Sequence, residues 1–385
     1  MLAVCGSVAL MAVAAQAQPG VTKDTIRIGM YGPLTGAVSM YGYPINDGAI
    51  AVYKQINAEG GIYGRKIVIV PEDGACNPVK TRAAVEKLLE EDNVFIVHGG
   101  SCSAAAYAAR PEFIRSQVPD VLMAATDDRI STPASPYIFT TTLTGSQDGA
   151  SMLRFAESDH AVKRLAVVQH NDDWAQSRIA AIRAGLKGSS IKLVADEILN
   201  RGASDATAQV LKIKQSHPDM IFMITYPAES AVFLRDARKY GVEGPFVGTV
   251  GIQDMLDLAQ RAGGLDAVKN TYADAFLKGP IGSPEMKQYT DLVTKYFPNI
   301  KLQSLNFYGM SGAYAIIAAL KAAGPDLTRA KFIAALDHLK DADAGPAYCT
   351  ITFTPSDHQG CHDAHMWTVR DGKIAVVGPV WKDGN

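Results

Sequence analysis

The sequence predicts an α/β protein built of two doubly wound, Rossmann-like lobes, in which helices cover both faces of parallel strands. Short runs of Val, Ile and Met alternate with segments whose apolar residues recur at helical spacing. The runs are apolar throughout, as expected of strands that are buried on both faces. The alternation restarts after a threonine-rich stretch at 140–145, and 385 residues are enough for two cores.

The first set contains four predicted strands, at 25–30, 66–71, 94–98 and 120–125. Helices are predicted between them at about 44–58, at 79–91 and from residue 103 onward. The first helix shows the pattern best, because its apolar residues lie on one face and two glycines follow it: Ile45, Ala49, Val52, Tyr53 and Ile56.

The second set repeats this order, with strands predicted at 164–169, 191–196, 220–225 and 245–250. Its helices are predicted at 175–188, 206–216 and 230–241. The tail then holds three helical segments, near 284–297, 305–323 and 329–339, and a strand-turn-strand region. The composition of the tail does not mark a third domain, and the sequence alone does not assign it to either lobe.

The N-terminal segment MLAVCGSVALMAVAAQAQPG has the composition of a secretory signal peptide. It has no charged residue and ends in Ala15-Gln16-Ala17, a small-x-small pattern typical of signal-peptidase sites. We predict a signal peptide at 1–17 and a mature chain that starts near Gln18. A buried N-terminal helix is the alternative, whereas a membrane anchor is disfavoured because the run is short for a bilayer span.

Charge and motifs exclude several classes of function. The formal net charge is −2 and no cluster of Lys or Arg forms a basic patch, so nucleic acid is not a predicted partner. Neither a dinucleotide-binding G-x-G-x-x-G after the first strand nor a phosphate-binding P-loop is present. The G-x-S-x-G motif of serine hydrolases is also missing.

The stretch GGSCSAAA at 99–106 lies between a predicted strand and a predicted helix, and allows three interpretations. Cys102 at a helix start has the setting of a reactive thiol. Ser103 as a helix N-cap, with free backbone N–H groups behind it, has the setting of an anion site, with a plain helix cap as the alternative. Cys76 upstream in an exported chain favours a disulfide instead.

The tail raises a similar choice. Cys349, His358, Cys361, His362 and His365 have the residue types of a zinc site. The four cysteines left after signal removal are an even number, which favours two disulfides in an oxidising compartment. We predict a Cys349–Cys361 bridge, no bound metal and no cofactor, and keep an exported metal-dependent enzyme as a remote alternative.

The segments GMYGPLTGAVSMYG, INAEGGIYGRKI, EDGACNP and GGSCS closely resemble the periplasmic ligand-binding proteins of branched-chain amino acid ABC transporters. The resemblance covers essentially the whole mature chain. It implies a type I periplasmic binding fold with three crossover segments, a Cys76–Cys102 bridge, a periplasmic monomer, delivery to a membrane permease, and no catalysis. On this basis we place one lobe at 23–142 plus about 276–354, and the other at 143–275 plus about 355–385.

The resemblance also implies a ligand site. Ser103, Ala124 and Thr126 match the positions that hold the main-chain groups of the amino acid, and Ser103 matches the helix-capping serine that holds the carboxylate. Tyr41 matches the tyrosine after the first turn. From the second lobe, Trp174 matches the aromatic residue that covers the ligand, and Tyr226 the tyrosine after the strand at 220–225.

One position departs from the family pattern. Where amino-acid-binding members offer a carboxylate to the ammonium group, this chain has Val250. A buried ammonium without a counter-charge costs several kcal/mol, so we predict a carboxylate ligand without an ammonium, such as a hydroxybenzoate or hydroxycinnamate. Flat apolar surface for it is expected from Trp174, Tyr41 and Tyr226, with Phe307 or Tyr308 as further candidates.

Alternatives remain open at this stage. Asp127, Asp128 or Glu229 offer another route to an ammonium, in which case the ligand is a branched-chain or other amino acid, or an amide. A ligand sensor of the same fold is a further alternative, because the sequence does not separate a transport protein from a sensor.

Overall fold

The computed structural model describes residues 18–36, 38–159 and 161–382, with side chains up to residue 378. The predicted signal peptide lies outside these residues. The first sheet has five parallel strands in the order β2-β1-β3-β4-β5. Its strands are β1 (Thr25–Gly32), β2 (Lys66–Asp73), β3 (Ile96–Gly99), β4 (Asp120–Leu122) and β5 (Ile138–Thr140). The helices between and after them are α1 (Ser39–Ala58), α2 (Pro78–Glu90), α3 (Ser103–Ser116), α4 (Asp128–Ser131) and α5 (Gly145–Ser158).

The second sheet has seven strands in the order β14-β13-β10-β9-β8-β6-β7. Five of them run parallel: β6 (Arg164–Gln169), β7 (Lys192–Ile198), β8 (Met220–Ile224), β9 (Phe246–Gly248) and β10 (Thr271–Ala275). The tail adds the antiparallel strands β13 (Asp363–Arg370) and β14 (Lys373–Lys382) at one edge. The helices of this lobe are α6 (Asp173–Leu186), α7 (Thr207–Gln215), α8 (Pro227–Lys239) and α9 (Met255–Ala262).

The tail contributes to both lobes. Its helices are α10 (Lys287–Tyr296), α11 (Leu305–Ala323) and α12 (Arg329–Asp337), and a short ladder joins β11 (Ala342–Asp343) to β12 (Thr350–Ile351). Helix α11 packs closely on α1, where a Cβ on Gly48 would meet the carbonyl of Asn306 at 1.6 Å. Residues that follow β12 lead to β13 in the second sheet.

The chain therefore passes between the sheets three times, after β5, after β10 and before β13. The two doubly wound lobes and their three crossovers confirm the predicted fold class. The boundaries at 142, 275 and 354 remain our proposal for where the lobes divide. None of the helices in the described residues is long and apolar enough to span a bilayer.

Two kinds of element differ from the prediction. Helix α1 starts at Ser39 rather than near Pro44, so the proline lies inside the helix, and its carbonyl accepts a hydrogen bond from Asn306 Nδ2 at 2.9 Å. The predicted elements did not include the strands β5 and β10 or the helices α4, α5 and α9. Strand β5 has only three residues, and the buried Asp274 interrupts the apolar pattern of β10.

Both predicted cysteine pairs are disulfide-bonded. Cys76–Cys102 ties the turn after β2 to the start of α3, and Cys349–Cys361 ties β12 to the segment before β13. The Cα atoms lie 5.6 Å apart in each pair, within the usual range. Cys102 is therefore not a free thiol, and the interpretation as a nucleophile does not apply.

Candidate ligand-binding cleft

The predicted ligand residues lie on segments that follow the carboxyl ends of parallel strands. Tyr41 is in the first turn of α1, after β1, and Ser103 opens α3, after β3. Thr126 follows β4. In the second lobe, Trp174 lies in the first turn of α6 and Tyr226 is the N-cap residue of α8. Ligands of open α/β sheets bind at these ends of the strands.

Ser103 is positioned differently from the prediction. Helix α3 takes Cys102 as its N-cap, so Ser103 is the first residue inside the helix and does not cap it. The reason is that Cys102 already has extended backbone and is fixed by its disulfide. The Ser103 hydroxyl instead accepts hydrogen bonds from two backbone N–H groups, those of Thr126 at 3.2 Å and Asp127 at 3.3 Å.

Thr126 joins the two lobes. Its hydroxyl accepts a hydrogen bond from Arg178 Nη1 at 3.1 Å, and Arg178 belongs to α6 in the second lobe. Ser103 and Thr126 are 5 % and 4 % exposed, so both hydroxyls lie in an environment with little water. Ala124, beside them, is partly buried and donates its backbone N–H to Gly100 O at 3.1 Å.

Arg178 is completely buried. Its Nε donates to Asp148 Oδ2 at 2.7 Å, and its Nη1 also donates to the Trp174 carbonyl at 2.7 Å. The guanidinium lies 4.1 Å from the Trp174 ring centroid, a cation–π contact. The ion pair with Asp148, which is also fully buried, makes this part of the cleft electrically neutral overall.

A second carboxyl group lies behind the ion pair. Burial, and next the neighbouring Asp148 carboxylate, raise the pKa of Asp274 well above its ordinary value, which favours the protonated form of Asp274. Asp148 also accepts the backbone N–H of Val250, at 3.4 Å. The carboxylate of Asp148 therefore has partners on three sides and is engaged by the protein itself.

Three aromatic rings lie in a row where the two lobes meet. The rings of Trp174 and Tyr226 are 4.6 Å apart, and those of Tyr226 and Tyr41 are 6.1 Å apart, so the rings form a continuous row across both lobes. Arg201 lies 4.5 Å from the Tyr226 ring and donates to its hydroxyl. Burial, and next the carboxylate of Asp172, raise the pKa of Tyr226.

The carboxylates that offered another route to an ammonium are occupied. Asp127 accepts from Arg129, and Asp128 accepts from the Ser146 backbone N–H at 3.0 Å. Glu229 accepts from the Gly202 N–H at 2.7 Å. Burial alone would raise the pKa of Glu229, but hydrogen bonds from His170 and from backbone N–H groups hold it below its ordinary value.

Val250 lies next to the buried ion pair, where its backbone N–H donates to Asp148. It begins a short 3₁₀ turn, its side chain is 4 % exposed, and its carbonyl accepts from the Tyr308 hydroxyl at 3.3 Å. Tyr308 thus lies against this part of the site, with its ring on Phe276. Phe307, the other aromatic candidate, is fully buried in the hydrophobic core.

Comparisons with known proteins agree with this architecture. A family model described as periplasmic binding protein matches residues 25–373. The chain belongs to the periplasmic binding protein family. This periplasmic binding protein is 27 % identical over 272 residues to the leucine-, isoleucine-, valine-, threonine- and alanine-binding protein of Pseudomonas aeruginosa, a match that covers 71 % of the chain and 73 % of that relative.

Two solved structures share its fold. The first is the branched-chain amino acid transporter substrate-binding protein LivJ from Streptococcus pneumoniae in complex with isoleucine. Its TM-score is 0.79 and its identity 24 %, and the match covers 92 % of this chain and all of the other. The second is a solute-binding protein of an ABC transporter from R. palustris in complex with 4-hydroxybenzoate. Its TM-score is 0.79 and its identity 20 %, and the match covers 94 % of this chain and 98 % of the other.

The histidines of the tail do not converge in this periplasmic binding protein. His358 stacks on Phe139 at 4.0 Å, His362 lies 3.0 Å from Gln147, and His365 lies 3.0 Å from the Leu277 carbonyl. Burial lowers the pKa of His365 to about 4. In the parts of the chain that the structure describes, no three His, Cys, Asp or Glu side chains stand close enough to hold a metal ion.

Sequence reasoning missed Arg178, Asp148 and Arg201. The sequence does contain a signal for Arg178. It lies on the same helical face as Ala175, Ile179 and Ile182, all of them buried. A charged residue within an apolar stripe must be paired once it is buried. Arg201 is half-exposed in a loop, where nothing in the sequence distinguishes it.

Proposed function

We propose that this periplasmic binding protein binds an aromatic carboxylate and delivers it to the permease of an ABC importer. One observation carries the choice of a carboxylate. The Ser103 oxygen already accepts two backbone N–H groups, so both of its lone pairs are used and only its proton is available. Such a hydroxyl donates to a ligand and does not accept from it.

Thr126 is similar but less constrained. One lone pair of its oxygen accepts from the positively charged Arg178, and its hydroxyl proton is left to be donated. In the described residues neither hydroxyl donates to a protein acceptor. The start of α3 adds backbone N–H groups and the positive end of a helix dipole. This set is rich in donors and has one spare lone pair, on Thr126, so it matches a carboxylate better than an ammonium.

The remaining carboxylates support the second half of the proposal. Asp127, Asp128, Asp148 and Glu229 are all engaged by protein donors, and Val250 stands where amino-acid-binding relatives are expected to have an acid. An ammonium placed here would have to share a carboxylate that protein donors already engage. A ligand with a carboxylate and an uncharged body avoids that cost.

The row of Tyr41, Tyr226 and Trp174 favours a flat, aromatic body, since offset and edge-to-face ring contacts add to the burial of apolar area. The R. palustris structure of the same fold is a complex with 4-hydroxybenzoate. We propose that the carboxylate docks first on Ser103 and Thr126, and that the second lobe then closes over the ring. The mature protein is then a periplasmic carrier without a catalytic step.

The relatives named for leucine, isoleucine and valine favour a second candidate, a branched-chain amino acid. Isothermal titration of the mature protein with matched compounds separates the two. The set is 4-hydroxybenzoate, 4-hydroxyphenylalanine, 4-hydroxybenzyl alcohol and leucine. We expect the benzoate to bind at least tenfold more tightly than 4-hydroxyphenylalanine, which carries an ammonium, and than 4-hydroxybenzyl alcohol, which lacks the carboxylate.

Tighter binding of leucine than of the benzoate would replace the proposal with the amino-acid candidate. Binding of the alcohol as tightly as the benzoate would refute the role of the carboxylate. Binding of none of the four compounds, by a protein that unfolds cooperatively, would refute the aromatic-carboxylate function.

A further inference from the structure

The guanidinium of Arg178 has five N–H donors, and only three of them have acceptors. Nε is bonded to Asp148, and the two Nη1 donors are bonded to Thr126 and to the Trp174 carbonyl. Nη2 is buried and has no hydrogen-bond partner among the described residues. Buried charged donors are nearly always satisfied, so an unpartnered one requires an explanation.

The position of Nη2 suggests an explanation for this unpartnered donor. The guanidinium group is planar and rigid, and its Nη1 is bonded to the Thr126 hydroxyl, so Nη2 is held close to that hydroxyl. This is the hydroxyl that we propose as a donor to the ligand carboxylate. The same carboxylate can then receive a hydrogen bond from the first lobe through Thr126 and one from the second lobe through Arg178.

We infer that Arg178 is a ligand-binding residue, which donates from Nη2 to the carboxylate once the lobes have closed and so determines the preference for a negatively charged ligand. This inference rests on the proposed function and deepens it. Charge-assisted bonds from guanidinium to carboxylate are stronger than neutral ones and are directional. Asp148 holds the guanidinium in place, since its carboxylate fixes Nε.

A purely structural role for Arg178 makes a different prediction from a ligand-binding role. The test uses two ligands of the same shape, 4-hydroxybenzoate and the neutral 4-hydroxybenzamide, titrated against the full mature protein and the variant Arg178→Gln. We expect the variant to bind the benzoate at least 30-fold more weakly, while its affinity for the amide changes by less than threefold. Arg178→Lys, which keeps the charge but loses the fork of donors, should lie between the two.

Asp148→Asn is the matched control because it removes the charge of the same ion pair, while the amide oxygen of asparagine can still accept from Nε and hold the guanidinium. It should keep or strengthen the binding of the benzoate, whereas Arg178→Gln weakens it. If the unpaired Asp148 prevents Arg178→Gln from folding, the double variant Arg178→Gln with Asp148→Asn removes both charges and takes its place in the comparison.

Equal weakening of acid and amide in the Arg178 variants, or no weakening of either, would refute this inference while the aromatic-carboxylate function stands. If the wild-type protein binds no aromatic carboxylate, the function itself fails and the role of Arg178 with it. The two failures are therefore separated by the wild-type titration.

Discussion

Replacing Thr126 by valine tests the carboxylate site with little change of shape. Valine has nearly the volume of threonine, and the residue is 4 % exposed, so the substitution removes a buried hydroxyl and leaves the packing in place. The hydroxyl has two roles: it accepts from Arg178 Nη1 at 3.1 Å and, in our proposal, donates to the ligand.

The magnitude follows from these two bonds. A hydrogen bond to a charged partner contributes about 1.5–3 kcal/mol. Loss of the bond to the ligand carboxylate should therefore raise the Kd by about 10- to 150-fold. The closed form should also lose about 1–3 kcal/mol relative to the open form, because one buried donor of Arg178 loses its acceptor while the other, bonded to the Trp174 carbonyl, keeps its own.

Isothermal titration with 4-hydroxybenzoate gives the change in Kd, and thermal unfolding without ligand checks that the variant is folded. Thr126→Ser is the matched control, since it keeps the hydroxyl and removes the methyl group; its Kd should stay within about threefold of the wild type. A Thr126→Val protein that binds the benzoate as tightly as wild type would show that the carboxylate lies elsewhere, whatever happens to the melting temperature.

Three further predictions concern other parts of the molecule. The double variant Cys349→Ala with Cys361→Ala should lose about 3 kcal/mol of stability, by chain entropy for a separation of 12 residues; an unchanged unfolding midpoint would contradict it. Burial raises the pKa of Asp120 to about 7, against a weaker opposing effect of the bond from Tyr31. The native state therefore keeps a proton that the unfolded chain loses near pH 4, and stability should fall as the pH rises toward 7. Unfolding at pH 5 and pH 8 should show a smaller fall for Asp120→Asn, and equal falls would disprove the assignment. Asp173 forms an exposed ion pair across the lobes with Arg129 at 3.0 Å. Because such pairs contribute about 0.2–1 kcal/mol, Asp173→Asn should change the ligand Kd by less than about fivefold, and a larger change would show that this pair holds the lobes closed.

Local pattern was enough to predict most of the fold. Continuous apolar runs and helical spacing located most of the longer strands and helices, because burial on both faces of a parallel sheet leaves little choice of residue type. Helix α5 was not predicted. The same rule explains the failures. Strand β5 is too short to show a pattern, and β10 carries Asp274, whose burial depends on a neighbouring ion pair that the sequence does not reveal.

The site was predicted unevenly for a related reason. Ser103 and Thr126 were located through their positions after strands and through the family resemblance, but their hydrogen-bond polarity is a tertiary property. It is set by the backbone of Asp127 and by Arg178, which is 52 residues away from Thr126 in sequence. Strand position and the family resemblance therefore suggested which residues to consider, whereas the structure adds the direction of the hydrogen bonds that they make within the protein.

In our proposal, the position of Arg178 also connects binding to closure. When the lobes separate, Arg178 loses its bond to Thr126 and water can solvate the guanidinium; when they close, Nη2 is removed from water. Closure without a ligand therefore leaves a buried charged donor unpaired, a cost that a ligand carboxylate removes. A ligand shifts a conformational equilibrium only by the difference in its interactions with the two states.

A neutral ligand that fills the aromatic row gains ring contacts but leaves Nη2 unpaired, so we expect it to bind without stabilising the closed form to the same extent. Small-angle scattering with saturating 4-hydroxybenzoate and with saturating 4-hydroxybenzamide should then show the more compact particle only for the acid, and equal compaction by both would separate closure from the charge of the ligand.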